Sequence, residues 1–147
     1  KESLGVVVFG NQSQQLQDLI PFRVYPLPYI KNEHELVDIY NAVDLFVIPS
    51  LEENLPNMVM EAMSCGVPCV GFNTGGIPEM IDHLHNGYVA QRKSSEDLAN
   101  GIHWVLTEPE YAELSAQACR KAIGNYSESI IAKKYTEVYN KITGKYA

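Results

Sequence analysis

The chain has 147 residues, 46% of them hydrophobic and 20% charged, which predicts one folded domain with a buried core and excludes disordered and collagen-like chains. Its 11 Lys and Arg against 18 Asp and Glu give a net charge of −7. This excess of acid argues against a duplex nucleic-acid binder, whose affinity depends on basic side chains that neutralise phosphates. The apolar runs are far shorter than the ~20 residues of a membrane-spanning helix, so we expect neither a transmembrane nor an exported protein.

Basic residues and cysteines narrow the chemistry further. No Lys or Arg occurs between Lys31 and Arg92. The three cysteines, Cys65, Cys69 and Cys119, are odd in number and show no C-x-x-C spacing, so neither a disulfide framework nor a structural zinc site is expected. We expect Cys65 and Cys69 to be small buried apolar groups and the protein to be cytoplasmic, in a reducing setting.

The first half of the chain alternates short apolar runs with amphipathic segments. Residues 4–9 form a nearly continuous apolar run rich in Val, which predicts a strand buried on both faces and hence a parallel sheet. Residues 13–20 predict a short helix, and residues 22–27 a second strand. From Glu33 onward the apolar positions recur at helical spacing, which predicts an amphipathic helix, and residues 44–49 predict a buried strand.

The second half continues the alternation and ends in helices. Residues 57–65 predict a helix that stops at Gly66, and residues 68–72 predict the next buried strand. A brief helix follows Gly76, and residues 88–90 predict the last short strand. Three further helices are predicted from residue 94 or 95 to about 106, from 109 to about 123 and from 128 to 142.

This order of elements predicts an α/β domain with a mainly parallel sheet and helices on both faces. Ligands of such sheets bind outside the carboxyl ends of the strands. The rule directs attention to the loops at Gly10, at residues 49–56 and at residues 72–76.

The loop at residues 49–56 leads from a strand into a helix, an arrangement that suits an anion. The start of a helix carries roughly half a positive charge together with unpaired N–H donors, so it can bind phosphate without a basic side chain. Since no cation lies between residues 32 and 91, backbone donors are the only local option that the sequence offers.

Two carboxylates in the same region, Glu53 and Glu61, fit a sugar nucleotide. They would repel a phosphate directly, but each carboxylate can accept hydrogen bonds from a pair of neighbouring hydroxyls. Two diols that flank a diphosphate provide such pairs. The alternative is that both are solvated surface glutamates, and the spacing alone does not distinguish the two.

Five short motifs run through this part of the chain: Pro49-Ser50, Glu53 and Glu61 in a Glu-x7-Glu pattern, Ala62-Met63 followed by Gly66, Pro68, and Gly75-Gly76-Ile77-Pro78-Glu79. In this set the chain resembles the nucleotide-sugar-binding half of the retaining family-4 glycosyltransferases, from about residue 4 to residue 142. The family commonly has Gly at the position of Asn54 and often Gly at the position of Pro56.

The resemblance implies one half of a GT-B fold, a Rossmann-like three-layer domain that binds the nucleotide-diphosphate sugar donor. It implies that Glu53 acts as the catalytic-site residue on hydroxyls of the transferred sugar and that Glu61 accepts hydrogen bonds from the ribose. Backbone amides after Glu53 would stabilise charge on the departing diphosphate. The other donor-binding residues implied are Asn54, Leu55, Pro56, Asn57, Gly75, Gly76 and Gly10.

Family members place an Arg and a Lys in a strand-loop-helix segment before the strand that is residues 4–9 here. We therefore hypothesise that residues 1–147 are a single sugar-nucleotide-binding domain from a longer enzyme, without its N-terminal acceptor domain and without that segment. That domain would be the partner, and peripheral membrane association through it is a further expectation. The final helix often crosses to it, but we expect the apolar stripe of that helix to pack mainly on its own domain. The stripe consists of Ile131, Tyr135, Val138 and Ile142.

Neither a cofactor nor a metal ion is expected, since a helix start can supply the positive charge and no Asp-x-Asp motif occurs. His83 and His85 have too few potential ligands around them for a metal site and favour a polar turn. We expect Trp104 to be partly buried in its helix rather than to stack on a sugar or base.

Of three other function classes, one stays open and the sequence argues against two. A non-catalytic sugar-nucleotide-binding or interaction module of the same fold stays open. A phosphorylated receiver domain would need acids after the first strand, where this chain has Gly10, and a later Lys. A dinucleotide dehydrogenase would need a G-x-G-x-x-G loop, which is absent there. The sequence does not identify the base and sugar of the donor, or the acceptor; polysaccharide or glycolipid biosynthesis is the general expectation.

Overall fold

The computed structural model describes residues 4–10, 13–16 and 19–144. Contacts between Cα atoms divide the chain into two compact units, Lys1–Val43 and Asp44–Ala147. That the whole chain forms one sugar-nucleotide-binding domain stays a prediction.

The first unit contains two parallel strands, β1 (Gly5–Phe9) and β2 (Arg23–Leu27), paired from Gly5 with Arg23 to Phe9 with Leu27. Helix α1 (Glu33–Asn41) begins where the Asn32 side chain accepts a hydrogen bond of 2.9 Å from the amide of His34. These elements confirm the predicted strands and the predicted amphipathic helix. The prediction that residues 4–9 are buried on both faces is wrong, since Gly5 is exposed and residues 6–9 are only partly buried.

The helix predicted for residues 13–20 is wrong where the structure describes it. A short 3-10 helix covers Ser13–Leu16, and residues 19 and 20 form a turn and a bend; residues 17 and 18 lie outside the described part. Pro21 supplies a physical reason, because the ring of a proline disfavours helical backbone in the residue before it.

The second unit is built on three parallel strands in the order β3 (Phe46–Ile48), β4 (Cys69–Phe72) and β5 (Gly87–Ala90). Phe46 pairs with Cys69, which pairs with Gly87. All four residues of the central β4 are buried, which accounts for its uninterrupted apolar sequence. Since the strands are parallel, the loops that follow them start at one edge of this sheet.

Two helices connect these strands, α2 (Asn57–Ser64) between β3 and β4, and α3 (Ile77–Met80) between β4 and β5. The end of α2 is a Schellman motif. Gly66 adopts a φ of +75°, the amide of Val67 donates to Ala62 O at 2.9 Å, and the amide of Gly66 donates to Met63 O at 2.9 Å. The prediction that Gly66 stops this helix is confirmed.

Helices α4 (Ser95–Thr107), α5 (Tyr111–Tyr126) and α6 (Glu128–Thr143) follow, close to the predicted bounds. Buried Val70, Val105 and Leu114 form a core cluster that joins the sheet to α4 and α5. Its partly buried neighbours are Leu45, Tyr88, Leu98, Ile102, Trp104 and Tyr111. The prediction that Trp104 is partly buried is therefore confirmed.

The apolar stripe of α6 departs from expectation. No residue of α6 is buried, and the exposed fractions of Tyr135, Val138 and Ile142 are 62%, 52% and 76%. The prediction that this stripe packs on its own domain is wrong, because helical periodicity shows which side chains share a face but not whether a surface covers them. Among the described residues, every helix is too short or too polar to cross a membrane.

Candidate functional site

The loops that follow β3, β4 and β5 meet at one carbonyl oxygen. Leu51 O, in the loop after β3, accepts a hydrogen bond of 3.2 Å from Thr74 Oγ1, in the loop after β4. The same oxygen accepts from Arg92 Nε at 3.2 Å and Arg92 Nη2 at 3.0 Å, in the loop after β5. The loop that carries Glu53 is thus tied to both neighbouring loops at the carboxyl edge of the sheet.

Gly75 and Gly76 provide a second contact between the loop after β4 and the loop that carries Glu53. The amide of Gly76 donates a hydrogen bond to Asn54 O. Gly75 has a φ of +52°, and a Cβ there would collide with the backbone of Glu53. A Cβ on Gly76 would collide with Asn54 O and lie 2.8 Å from Leu55 Cδ1. The two glycines that are predicted to contact the ligand are therefore also required for close backbone packing. Their contact with a donor stays a prediction.

The start of α2 lacks a cap. Its N-cap residue is Pro56, no side chain caps it, and its first turn contains no acidic residue. Asn32 and Ser94 cap α1 and α4 with side-chain oxygens. Helices α3, α5 and α6 also lack a side-chain cap, but each has an acidic residue in its first turn, as α1 and α4 do, whereas α2 has none. Amides at such a start carry partial positive charge toward whatever lies in front of them.

Pro56 itself cannot donate, because proline has no amide hydrogen. Within the stretch predicted to bind the diphosphate, the possible backbone donors are therefore Asn54, Leu55 and Asn57. Pro56 instead adopts the extended backbone, with φ −71° and ψ 117°, from which α2 begins.

The two predicted carboxylates stand on different elements. Glu53 is partly buried in the loop, and Glu61 is partly buried on α2. The buried face of α2 consists of Val59, Ala62 and Met63, so Glu61 lies outside that face. It follows Asn57, the first residue of α2, by four residues, so the two side chains lie on the same face of the helix.

Gly10 belongs to the first unit, where it follows β1 with a φ of +116°, a backbone conformation that favours glycine. A Cβ there would meet nothing within 4 Å. Packing within the described residues thus does not require glycine at this position, and its predicted contact with a donor stays a prediction.

Arg92 is the site residue that sequence reasoning missed. The inference that backbone donors are the only local option is wrong, because the Arg92 guanidinium reaches the loop after β3. The signal was its position directly after the last predicted strand. Parallel strands bring their carboxyl ends to one edge, so a residue 41 positions after Leu51 lies beside it.

The loop that carries Arg92 is fixed by α4. The Asp97 carboxylate accepts from the amide of Gln91 at 2.6 Å and from the Tyr88 hydroxyl at 2.8 Å. These two hydrogen bonds hold the pKa of the Asp97 carboxyl below its usual range. The amide of Asp97 donates in turn to Ser94 Oγ at 3.1 Å, which caps the helix.

His83, one of the two histidines predicted to lie in a polar turn, and its neighbour Asp82 have structural partners. Asp82 forms a 2.6 Å ion pair with Lys121 and accepts from Asn86, and His83 Nδ1 accepts from the amide of Val89. Within the described ranges, no three His, Cys, Asp or Glu side chains are grouped as metal ligands.

The cysteines differ in exposure. Cys69 is buried, which raises the pKa of its thiol, whereas Cys65 is only partly buried. The prediction of buried apolar cysteines is therefore confirmed for Cys69 and wrong for Cys65.

Comparison with known families gives one clear match. The family model described as "Glycosyl transferases group 1" matches residues 2–123. Over 115 residues the chain is 30% identical to the N,N'-diacetylbacillosaminyl-diphospho-undecaprenol alpha-1,3-N-acetylgalactosaminyltransferase of Campylobacter jejuni, a match that covers 78% of this chain and 30% of that protein. Over 112 residues it is 34% identical to the D-inositol 3-phosphate glycosyltransferase of Rhodococcus erythropolis, covering 76% and 25%. The chain thus spans about a third or less of these relatives.

Solved structures show the same fold. Anabaena Alr3699/HepE, in complex with UDP and glucose, superposes with a TM-score of 0.78 at 23% identity, over 92% of this chain and 40% of that one. Sucrose-phosphate synthase from Thermosynechococcus elongatus gives 0.80 at 21% identity, over 98% and 39%. The predicted fold, a Rossmann-like α/β arrangement with parallel sheets and C-terminal helices as in one half of a GT-B fold, is confirmed.

Proposed function

The chain belongs to the group 1 glycosyl transferases, and from this premise we propose that it is the donor-binding part of a retaining hexosyltransferase. It binds a nucleotide-diphosphate sugar, and the sugar passes to an acceptor held by a separate N-terminal domain of the same polypeptide. The product belongs to polysaccharide or glycolipid biosynthesis in the cytoplasm, with peripheral membrane association through the N-terminal domain.

One observation carries the proposal: the uncapped start of α2, with Glu53 in the loop before it and Glu61 one turn inside it. A diphosphate in front of this start faces amide hydrogens and the positive end of the helix dipole, which contributes about 0.3–1 kcal/mol per anionic charge at exposed sites. Glu61 accepts hydrogen bonds from the ribose, and Glu53 from hydroxyls of the transferred sugar. The amides of Asn54, Leu55 and Asn57 receive the charge that develops on the departing diphosphate.

The proposal includes no metal ion and no cofactor. Amides and a helix start provide the positive potential that a divalent cation provides in other transferases. Removal of divalent cations with a chelator is therefore expected to leave donor binding unchanged.

The donor is found by a thermal-shift screen of the polypeptide that carries this chain, with UDP, GDP, ADP and their sugars. A ligand at a concentration of 100 times its Kd stabilises the folded state by about 2.7 kcal/mol, and this stabilisation raises the Tm measurably. We expect the Tm to rise with the nucleoside diphosphate of one base and with the sugar nucleotides of that same base. If no nucleoside diphosphate does so, the proposal is contradicted.

Turnover separates an enzyme from a binding module of the same fold. With the N-terminal half present, the donor should be hydrolysed slowly without acceptor and transferred with it, and the anomeric proton of the product should report retention. Donor binding with no hydrolysis and no transfer would instead assign a non-catalytic module. Inversion at the anomeric carbon would contradict the retaining mechanism.

A further inference from the structure

The backbone on both sides of Glu53 is held by hydrogen bonds from other loops. Two residues before it, Leu51 O accepts from Thr74 and from two nitrogens of Arg92. One residue after it, Asn54 O accepts from the amide of Gly76. Residues 49–56 contain no helix or strand, so these ties, rather than regular secondary structure, set where the Glu53 backbone lies.

Two side chains form what we call the upstream tie, the hydrogen bonds to Leu51 O, and those from Arg92 are stronger than the one from Thr74. A guanidinium holds two N–H groups in a fixed plane, and here both converge on one carbonyl oxygen. Such charge-assisted hydrogen bonds are roughly twice as strong as neutral ones. Thr74 contributes one neutral hydrogen bond to the same oxygen.

The backbone of Arg92 is itself fixed. The amide of Gln91 donates to Asp97 of α4, and the amide of Ser94 donates to Gln91 O at 3.0 Å. Hydrogen bonds from α4 and Ser94 therefore hold the backbone of residue 91, and the next residue, Arg92, donates to Leu51 O. A rigid helix thus determines the position of a loop that has no regular structure of its own.

We propose that Arg92 is a positioning residue for the sugar end of the donor, acting through Leu51 on the loop that presents Glu53. The inference rests on the proposed function and adds that different hydrogen bonds position the sugar-binding and the nucleotide-binding parts of the site. The upstream tie controls Glu53 and hence the sugar, whereas Glu61 and the first amides of α2 lie beyond the downstream tie at Asn54. Loss of Arg92 therefore weakens binding of the nucleotide sugar and spares the nucleoside diphosphate.

The test compares Arg92→Met with Arg92→Lys, Thr74→Val and a charge-matched control, Arg120→Met. Arg120 lies on α5, pairs only with Glu113 in the salt bridges of the described residues, and is 57% exposed. Affinities are measured by amide chemical-shift titration of the full chain with three probe pairs: UDP and UDP-glucose, GDP and GDP-mannose, ADP and ADP-glucose. Titration by chemical shift tolerates weak binding, so the wild-type chain provides the reference.

Arg92→Met is expected to weaken binding of the nucleotide sugar about three- to tenfold, the range for a net hydrogen bond, because the bonds from Arg92 to Leu51 O are solvent-exposed. Binding of the diphosphate should stay within about twofold of the wild-type value. Arg92→Lys keeps one donor and restores part of the affinity, Thr74→Val gives a smaller loss of the same kind, and Arg120→Met changes nothing. Equal losses for sugar and diphosphate would overturn the proposal, since Arg92 would then act on the diphosphate itself.

Hydrogen exchange provides a readout that needs no ligand. Amides of residues 52–55 should exchange faster in Arg92→Met, and at the wild-type rate in Arg120→Met. Unchanged exchange in Arg92→Met would overturn the tie whatever the donor proves to be. If the wild-type chain binds none of the six probes while exchange responds as expected, the proposed function fails and the tie stands, so the two failures are distinguishable.

Discussion

Substitution of Gly76 by alanine tests the packing on which the site depends. Gly76 has φ −85° and ψ 0°, a negative-φ conformation that residues with a Cβ also adopt in turns, so the backbone itself does not require glycine. The new methyl group would instead collide with Asn54 O and lie 2.8 Å from Leu55 Cδ1. The leucine methyl can rotate away, but the carbonyl can move only with its loop.

Two terms set the size of the effect. Overpacking of a well-packed contact costs about 1–3 kcal/mol, and loss of the hydrogen bond from Gly76 to Asn54 costs about 0.5–1.5 kcal/mol. We expect Gly76→Ala to lower the free energy of unfolding by about 1.5–4.5 kcal/mol in total, the sum of these two ranges. If the loop that carries Asn54 shifts to accommodate the methyl group, the loss of stability is smaller, but Glu53 is displaced and the affinity for the nucleotide sugar falls.

Urea denaturation followed by circular dichroism measures the first outcome, and sugar-nucleotide titration measures the second. Gly124→Ala on α5 is the control, because a Cβ there meets nothing within 4 Å and alanine favours a helix by up to about 1 kcal/mol over glycine. A Gly76→Ala chain with an unchanged denaturation midpoint and unchanged donor affinity would refute the packing of this glycine against the Glu53 loop.

Three further substitutions follow from single contacts. Gly101→Ala should lower the free energy of unfolding by about 1–3 kcal/mol in urea denaturation, because its Cβ would lie 2.7 Å from Tyr88 Cγ in the core. Asp97→Asn should reduce the loss of stability below about pH 4, which acid titration of the folded chain measures. Hydrogen bonds from Gln91 and Tyr88 lower the pKa of Asp97 in the folded chain, so its carboxylate stabilises the fold above its unfolded pKa of about 3.9. This contribution is lost as the pH falls through the lower folded pKa. Lys93→Gly should leave the Tm unchanged or raise it, because Lys93 has a φ of +65° and left-handed backbone costs a side-chain-bearing residue about 1–2 kcal/mol, more than the added freedom of glycine in the unfolded chain.

Most of the regular structure could be predicted because it depends on local pattern. The buried strand β4 and the stop of α2 at Gly66 follow from an apolar run and from the one residue type that favours left-handed backbone. The segment at residues 13–16 could not be predicted as well, since a few helix-compatible residues before Pro21 do not distinguish a 3-10 turn from an α-helix.

The candidate site could be predicted only as far as its motifs. The Glu-x7-Glu pattern and the glycine pair marked the correct loops, but the interaction of Arg92 with Leu51 joins residues 41 positions apart through a backbone oxygen. Any residue offers that oxygen, so no side-chain pattern marks the acceptor. The exposed stripe of α6 has a related cause, because amphipathicity is a property of the helix and burial is a property of its surroundings.

The most direct test of the account compares the affinities of Glu53→Gln and Glu61→Gln chains for a nucleoside diphosphate and for its sugar. A lost hydrogen bond to a charged group costs about 1.5–3 kcal/mol, so Glu61→Gln should weaken both ligands by at least tenfold. Glu53→Gln should weaken only the nucleotide sugar. If both variants bind both ligands as the wild-type chain does, these carboxylates do not hold the donor.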